Sequence, residues 1–147
     1  MNMPSASHGT GVCCIIPAYN EASRIGGVLA AVSRHPGVAK VIVVDDASGD
    51  GTAEVAADCE GVQLIRLPRN RGKTWALTAG IEAARQPLLL LLDADLLGLT
   101  ADAVAALIAP VREGRAEVSI SLRAIAPRLW RRIGLDYISG ERVLPRA

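Results

Sequence analysis

The chain contains no phenylalanine, and two tryptophans and two tyrosines are its only aromatic residues in 147 positions. Rings this scarce, without a large basic patch, argue against nucleic-acid binding, which stacks bases on aromatic side chains and needs a cationic face. Three cysteines make an odd count, with no CxxC pair and no zinc-site spacing. That excludes a disulfide scaffold and a structural zinc site. Cys13 and Cys14 fall inside the first apolar run, where cysteine behaves as a small buried hydrophobe. The chain therefore reads as reduced and cytoplasmic. No apolar run reaches the roughly 18 residues that span a bilayer, so any membrane role is expected to be peripheral, at the inner membrane surface. His8 lies in a polar lead-in and His35 precedes Pro36-Gly37, so no Ser-His-Asp or Cys-His arrangement is credible. GxGxxG is missing after the first strand and GxxxxGK[ST] is missing throughout, which disfavours a dinucleotide site and a P-loop.

Half of the residues are hydrophobic, enough to build one sizeable core, and the length suits one domain rather than two. Residues 1–11 are small and polar and read as a disordered lead-in, leaving 12–147 as a single domain. The net charge of +1 hides an asymmetry. Residues 1–111 carry 8 Lys/Arg against 11 Asp/Glu, a net of −3, whereas 112–147 carry 8 Arg against 4 Asp/Glu, a net of +4. The basic end either faces an anionic ligand or lipid surface or is simply solvated.

Apolar runs alternate with helical patterns. Strands are expected at Val12–Ile16 (stopped by Pro17), Lys40–Val44, Val62–Leu67, Leu88–Leu92 and Glu117–Leu122. Helices are expected at Glu21–His35, Thr52–Cys59, Lys73–Arg85 and from a Thr100 cap to about Glu113. This alternation predicts an α/β domain, a mainly parallel sheet with helices on both faces. Beyond Arg123 the pattern breaks, leaving a short amphipathic stretch at 128–133 and an extended one at 139–144.

The loops on one sheet edge carry the chemistry. They are Pro17-Ala-Tyr-Asn-Glu21, Asp45-Asp-Ala-Ser-Gly-Asp-Gly-Thr52, Arg69-Asn-Arg-Gly-Lys73 and Asp93-Ala-Asp95, whereas the opposite edge has ordinary turns. Ligands of open parallel sheets bind beyond the carboxyl ends of the strands. Asp93 and Asp95, two apart at a strand end, offer hard oxygen ligands for Mg²⁺ or Mn²⁺. A turn with a helix cap would use the same spacing. Asp45 and Asp46 either reach a base or ribose or satisfy backbone donors within their own loop. Tyr19 either covers a nucleobase or is a core ring, and Lys73 with Arg69 and Arg71 either meets a phosphate at a helix start or is solvated.

Taken in order, Ile15-Ile-Pro-Ala-Tyr-Asn-Glu21, Val43-Val-Asp-Asp-Ala-Ser-Gly-Asp-Gly-Thr52, Asn70-Arg-Gly-Lys73 and Leu92-Asp-Ala-Asp-Leu96 resemble the family 2 glycosyltransferases of GT-A fold, particularly the dolichyl-phosphate mannosyltransferase branch. The resemblance covers 12–123 as a nucleotide-sugar-binding core. It continues loosely through Asp136-Tyr-Ile-Ser-Gly-Glu-Arg142 in a short acceptor-side segment, 124–147. It implies a nucleotide-diphospho-sugar donor, with Pro17, Ala18, Tyr19 and Glu21 lining the nucleoside pocket. Asp46 would contact the base with Asp45 in support. Asp93 would touch ribose or metal, Asp95 would hold the metal, and Lys73 and Arg123 would face the phosphates. Family members commonly continue well beyond this length, so the chain reads as short at its C-terminus.

The expected reaction is an inverting, metal-assisted glycosyl transfer. A hydroxyl acceptor needs a general base, for which Asp136 is the best-placed residue, whereas a polyprenyl phosphate is already ionised and needs none. Arg128-Leu-Trp-Arg-Arg132 would suit such a lipid-linked acceptor, peripheral membrane contact or a homo-oligomer. The alternative is a truncated, non-catalytic sugar-nucleotide-binding module working with a partner chain.

Overall fold

A computed structural model describes residues 11–115, 119–120 and 142–146. The polar lead-in up to residue 10, the amphipathic stretch at 128–133, Arg123 and Asp136 lie outside the described residues, as do parts of the strands expected at 117–122 and 139–144. The elements run β1 (Val12–Ala18), α1 (Ile25–Val32), β2 (Lys40–Asp45), α2 (Thr52–Asp58), β3 (Val62–Arg66), α3 (Lys73–Ala83), β4 (Leu88–Leu91), α4 (Ala101–Arg112), β5 (Ser119–Ile120) and β6 (Arg142–Pro145). They build an α/β domain on one sheet in the order β3-β2-β1-β4-β6-β5.

The first four strands are parallel to one another, β1 to β2 and β4 and β2 to β3. β6 enters between β4 and β5 and is antiparallel to both. Its Val143 is fully buried and pairs with Leu90, so the described part of the expected extended segment carries the sheet on beyond β4 to β5.

Two cores sandwich the sheet. On one face Ile25, Val28, Leu29 and Val32 of α1, with Val104, Leu107, Ile108 and Val111 of α4, cover Cys14, Ile16 and Val43. On the other, Ala76 of α3 packs with Cys13, Ile15, Ile42 and Val44. Cys13 and Cys14 thus point to opposite faces of a strand buried on both sides, as the unbroken apolar run requires. The alanine-rich α3 lies close to β1: a Cβ on Gly80 would come within 2.5 Å of Ile15 Cγ2.

Several boundaries shift by one to four residues from expectation, and two of the shifts bear on the site. β1 continues through Pro17 to Ala18. The Ile15 carbonyl accepts from Leu92 N on the β4 side, whereas that of Ala18 accepts from Asp46 N on the β2 side. Two residues beyond Ile15, Pro17 turns its donorless nitrogen towards β4, which ends at Leu91, so the proline sits where the β1–β4 ladder stops. α1 starts at Ile25 rather than Glu21; residues 22–24 form a turn in which the Arg24 and Ile25 amides both donate to the Glu21 carbonyl, while the Glu21 amide is held by Thr52 Oγ1 at 2.9 Å. Helix α4 begins as expected, with Thr100 Oγ1 accepting from Ala103 N.

Candidate active site

The strand order reverses at β1, with β2 and β3 on one side and β4 on the other. A parallel sheet opens a crevice at such a switch point, because the loops leaving neighbouring strands diverge to opposite faces. The cleft here is lined by Pro17 and Ala18 at the end of β1, Tyr19 and Glu21 after it, Asp46 after β2, Lys73 and Ala76 on α3, and Asp93, Ala94 and Asp95 after β4. Four loops remote in sequence therefore share one site.

The first two loops are laced together. Asn20 N donates to Ser48 Oγ at 2.9 Å, and Gly49 N returns a bond to Asn20 Oδ1 at 2.9 Å. Ala22 N donates to Asp50 Oδ2 at 3.2 Å. Asp50 also accepts from the Thr52 amide at 3.0 Å and from the Thr52 hydroxyl. That hydroxyl, followed by the amides of Thr52 and Ala22, holds the Asp50 carboxyl below its usual range. The lacing leaves Tyr19 at the rim with half its surface exposed.

Asp46 is buried and clamps the third loop. Its Oδ1 accepts from Arg71 N and its Oδ2 from Gly72 N, both at 2.9 Å. Gly72 has φ +95, a conformation side chains resist, and from it α3 starts. Lys73, the first residue of α3, reaches across the cleft to pair with Asp93 Oδ1. Arg71 is turned aside, its guanidinium stacked 4.0 Å from the Trp75 ring centroid.

Asp45 is fully buried and does not line the cleft. Neither of its carboxylate oxygens has a hydrogen-bond partner among the described residues, and Arg66 Nε stands 3.9 Å from Oδ2. Glu21 sits 2.7 Å from Arg24 Nε, in ion-pair contact without hydrogen-bond alignment. Ala76, Ala94 and the Arg24 and Arg66 partners escape sequence reasoning. Ala76 follows Lys73 by three residues and so shares its helix face, whereas the others carry no motif.

Asp93 and Asp95 suit a divalent cation. Among the described residues no group of three or more His, Cys, Asp or Glu gathers into a closed metal cage. Two carboxylates in an open cleft are the donor set of a cation that keeps waters and takes phosphate oxygens. The Asp93 carboxylate already accommodates a cationic group, the Lys73 ammonium.

A family model, glycosyl transferase family 2, matches residues 13–143, nearly the whole chain. The chain belongs to this family. The match takes in all four loops of the cleft. The succinoglycan biosynthesis protein ExoU of Rhizobium meliloti is 36% identical over 95 residues, which is 62% of this chain and 28% of ExoU. The undecaprenyl-phosphate 4-deoxy-4-formamido-L-arabinose transferase of Aeromonas hydrophila is 39% identical over 94 residues, 58% of this chain and 29% of that protein. Glucosyl-3-phosphoglycerate synthase from Mycobacterium tuberculosis, solved with Mn²⁺ and uridine-diphosphate-glucose, superposes with a TM-score of 0.78 at 23% identity. That superposition covers 97% of this chain and 58% of the synthase, and it shows the GT-A fold. The chain thus matches under a third of these curated relatives' length and rather more than half of the solved structure. Among the described residues no helix is long and apolar enough to cross a membrane.

Proposed function

We propose that this chain is the donor-binding core of an inverting, metal-dependent glycosyltransferase that moves a sugar from a nucleoside diphosphate to an acceptor. The observation that carries the reading is the convergence of Tyr19, Asp46, Lys73, Asp93 and Asp95 on one cleft at the switch point. Membership of family 2 and the donor named for the mycobacterial structural neighbour support it.

Tyr19 covers the nucleobase, with Pro17, Ala18 and Glu21 around it. Asp46 reaches the base with lone pairs that its two loop bonds leave over, since a carboxylate offers about four acceptor sites. Asp93 and Asp95 would hold Mg²⁺ or Mn²⁺, which when bound would supply positive charge to the departing diphosphate. The acceptor oxygen attacks the anomeric carbon while the carbon–oxygen bond to the diphosphate breaks on the opposite face, its electron pair leaving with the phosphate. Lys73 adds positive charge where that leaving group develops its own, and Arg123 is proposed to do the same.

The relative named for undecaprenyl phosphate favours a polyprenyl phosphate acceptor, as in the dolichyl-phosphate mannosyltransferase branch. Such an acceptor dispenses with a base; Asp136 is the proposed base only for a hydroxyl. One other reading is a non-catalytic donor-binding module working with a partner chain, since the cleft gathers residues suited to the donor. Turnover of a nucleotide-sugar by the isolated chain would exclude that reading.

A thermal-shift panel of nucleotide-sugars with and without Mn²⁺ identifies the donor. In calorimetry, Asp95→Asn is expected to abolish Mn²⁺-dependent nucleotide binding while circular dichroism stays unchanged. Equal affinities for the variant and the native chain, with metal present, would overturn the metal role.

A further inference from the structure

Lys73 and Asp93 form an ion pair inside the cleft, and the two partners differ in freedom. The Asp93 side chain is 16% exposed, whereas that of Lys73 is 54% exposed. Asp93 leaves a buried strand and is set by the sheet. The Lys73 backbone is set by the Asp46 clamp on the two preceding amides, but its long side chain reaches through half-open solvent and can swing. If one partner yields to a third charge, it is the ammonium.

A divalent cation held by Asp93 and Asp95 would compete with the Lys73 ammonium for the Asp93 carboxylate. Two cations on one carboxylate repel each other, and the doubly charged one gains more from the second carboxylate. We propose that Lys73 is a resident counter-ion of Asp93, displaced when a divalent cation binds to Asp93 and Asp95. The inference rests on the metal reading above and adds a competition to it. Lys73 balances charge on the Asp93 carboxylate, which leaves the end of a buried strand. Metal entry then frees the ammonium within the same cleft, where it becomes available to an anionic ligand. Metal and anion are thereby linked: an anion that draws Lys73 away from Asp93 favours metal binding, and the reverse holds equally. Arg71 cannot substitute where it stands, because its guanidinium is engaged on Trp75.

The competition makes a prediction with an unusual sign. Removing a cation that serves the donor should tighten binding of metal alone. Free Mn²⁺ is counted by electron paramagnetic resonance at low ionic strength, without nucleotide, in the full chain. Lys73→Met is expected to bind Mn²⁺ about two- to fivefold more tightly than the native protein, the range set by a half-exposed ion pair, while binding nucleoside diphosphate more weakly. Lys73→Gln serves as a second neutral variant, with circular dichroism to verify both folds. In an Asp93→Asn background the Lys73→Met gain should vanish, because the contact it relieves is already gone. Unchanged or weaker Mn²⁺ binding by both neutral variants would overturn the displacement. So would an equal gain in Arg71→Met, since that would reveal a general field instead of a contact. Failure of Mn²⁺ to bind any variant even with nucleoside diphosphate would remove the metal reading itself, and this inference with it.

Discussion

Asp46 shows how much one carboxylate can hold. Each of its oxygens takes one backbone N–H of the Arg71–Gly72 step, and that step aims Lys73 into the cleft. Asparagine has the same shape but only one acceptor oxygen, so its amide nitrogen would face an N–H group and one of the two charge-assisted bonds would be lost. Asp46→Asn is expected to lower the unfolding free energy by about 1–3 kcal/mol. Asp45→Asn, one residue away, breaks no hydrogen bond among the described residues and relieves a buried charge, so it should cost distinctly less. Urea denaturation of both variants makes the comparison, and equal losses would refute the clamp. Neighbouring acids that look alike in sequence thus divide into a clamp at the cleft and a carboxylate buried beneath it.

At the scale of the element, the site depends on how closely α3 approaches the sheet. Gly80 lets α3 settle against β1 and β2, since a methyl group there would meet Ile15 Cγ2 at 2.5 Å and Val44 Cγ2 at 3.2 Å. Both contacts are to buried β-branched side chains with no free rotamer to adopt. Gly80→Ala is expected to destabilise by about 1–3 kcal/mol through overpacking, despite alanine's better helix propensity. Gly26→Ala on α1 meets nothing within 4 Å, so it should be neutral or stabilising by up to about 1 kcal/mol. Thermal melts of the two variants should therefore move in opposite directions, and a parallel shift would show that the packing at Gly80 is slack. A displaced α3 would also carry Lys73 away from Asp93, so weaker nucleotide binding by Gly80→Ala is expected to accompany its lower melting temperature.

The whole molecule can be read through its three thiols. Cys13 and Cys14 are fully buried on opposite faces of β1, the central strand of the parallel part, whereas Cys59 at the end of α2 is partly exposed. Burial pushes the Cys13 thiol up to about 11 and the Cys14 thiol well above its ordinary value. At pH 8 neither offers appreciable thiolate, the reactive form. One thiol per chain is expected to react promptly with a disulfide reagent in native buffer. The other two should react only at the rate of global unfolding, accelerating together with urea. Two or three promptly reacting thiols would mean that β1 opens locally, which a strand hydrogen-bonded on both sides should not do.

Much of this was legible in the residues alone. Unbroken apolar runs such as Leu88–Leu92 declare doubly covered strands, because a one-sided strand would alternate. The periodicity around Ile25, Val28, Leu29 and Val32 declares a helix, and Thr100 its neighbour's cap. Loops rich in acids, glycine and cations on a single edge declare where a ligand belongs, since polar loops and ligand sites share the carboxyl ends of parallel strands. Spacing could not say which of two adjacent aspartates faces the cleft, nor that Lys73 would find Asp93 twenty residues away. Neither could it place β6 antiparallel between β4 and β5, or extend β1 through Pro17. Those outcomes depend on strand order, on where a neighbouring strand ends and on which backbone donors remain unclaimed. They are set by partners distant in sequence, and only the folded chain brings such partners within a few ångströms.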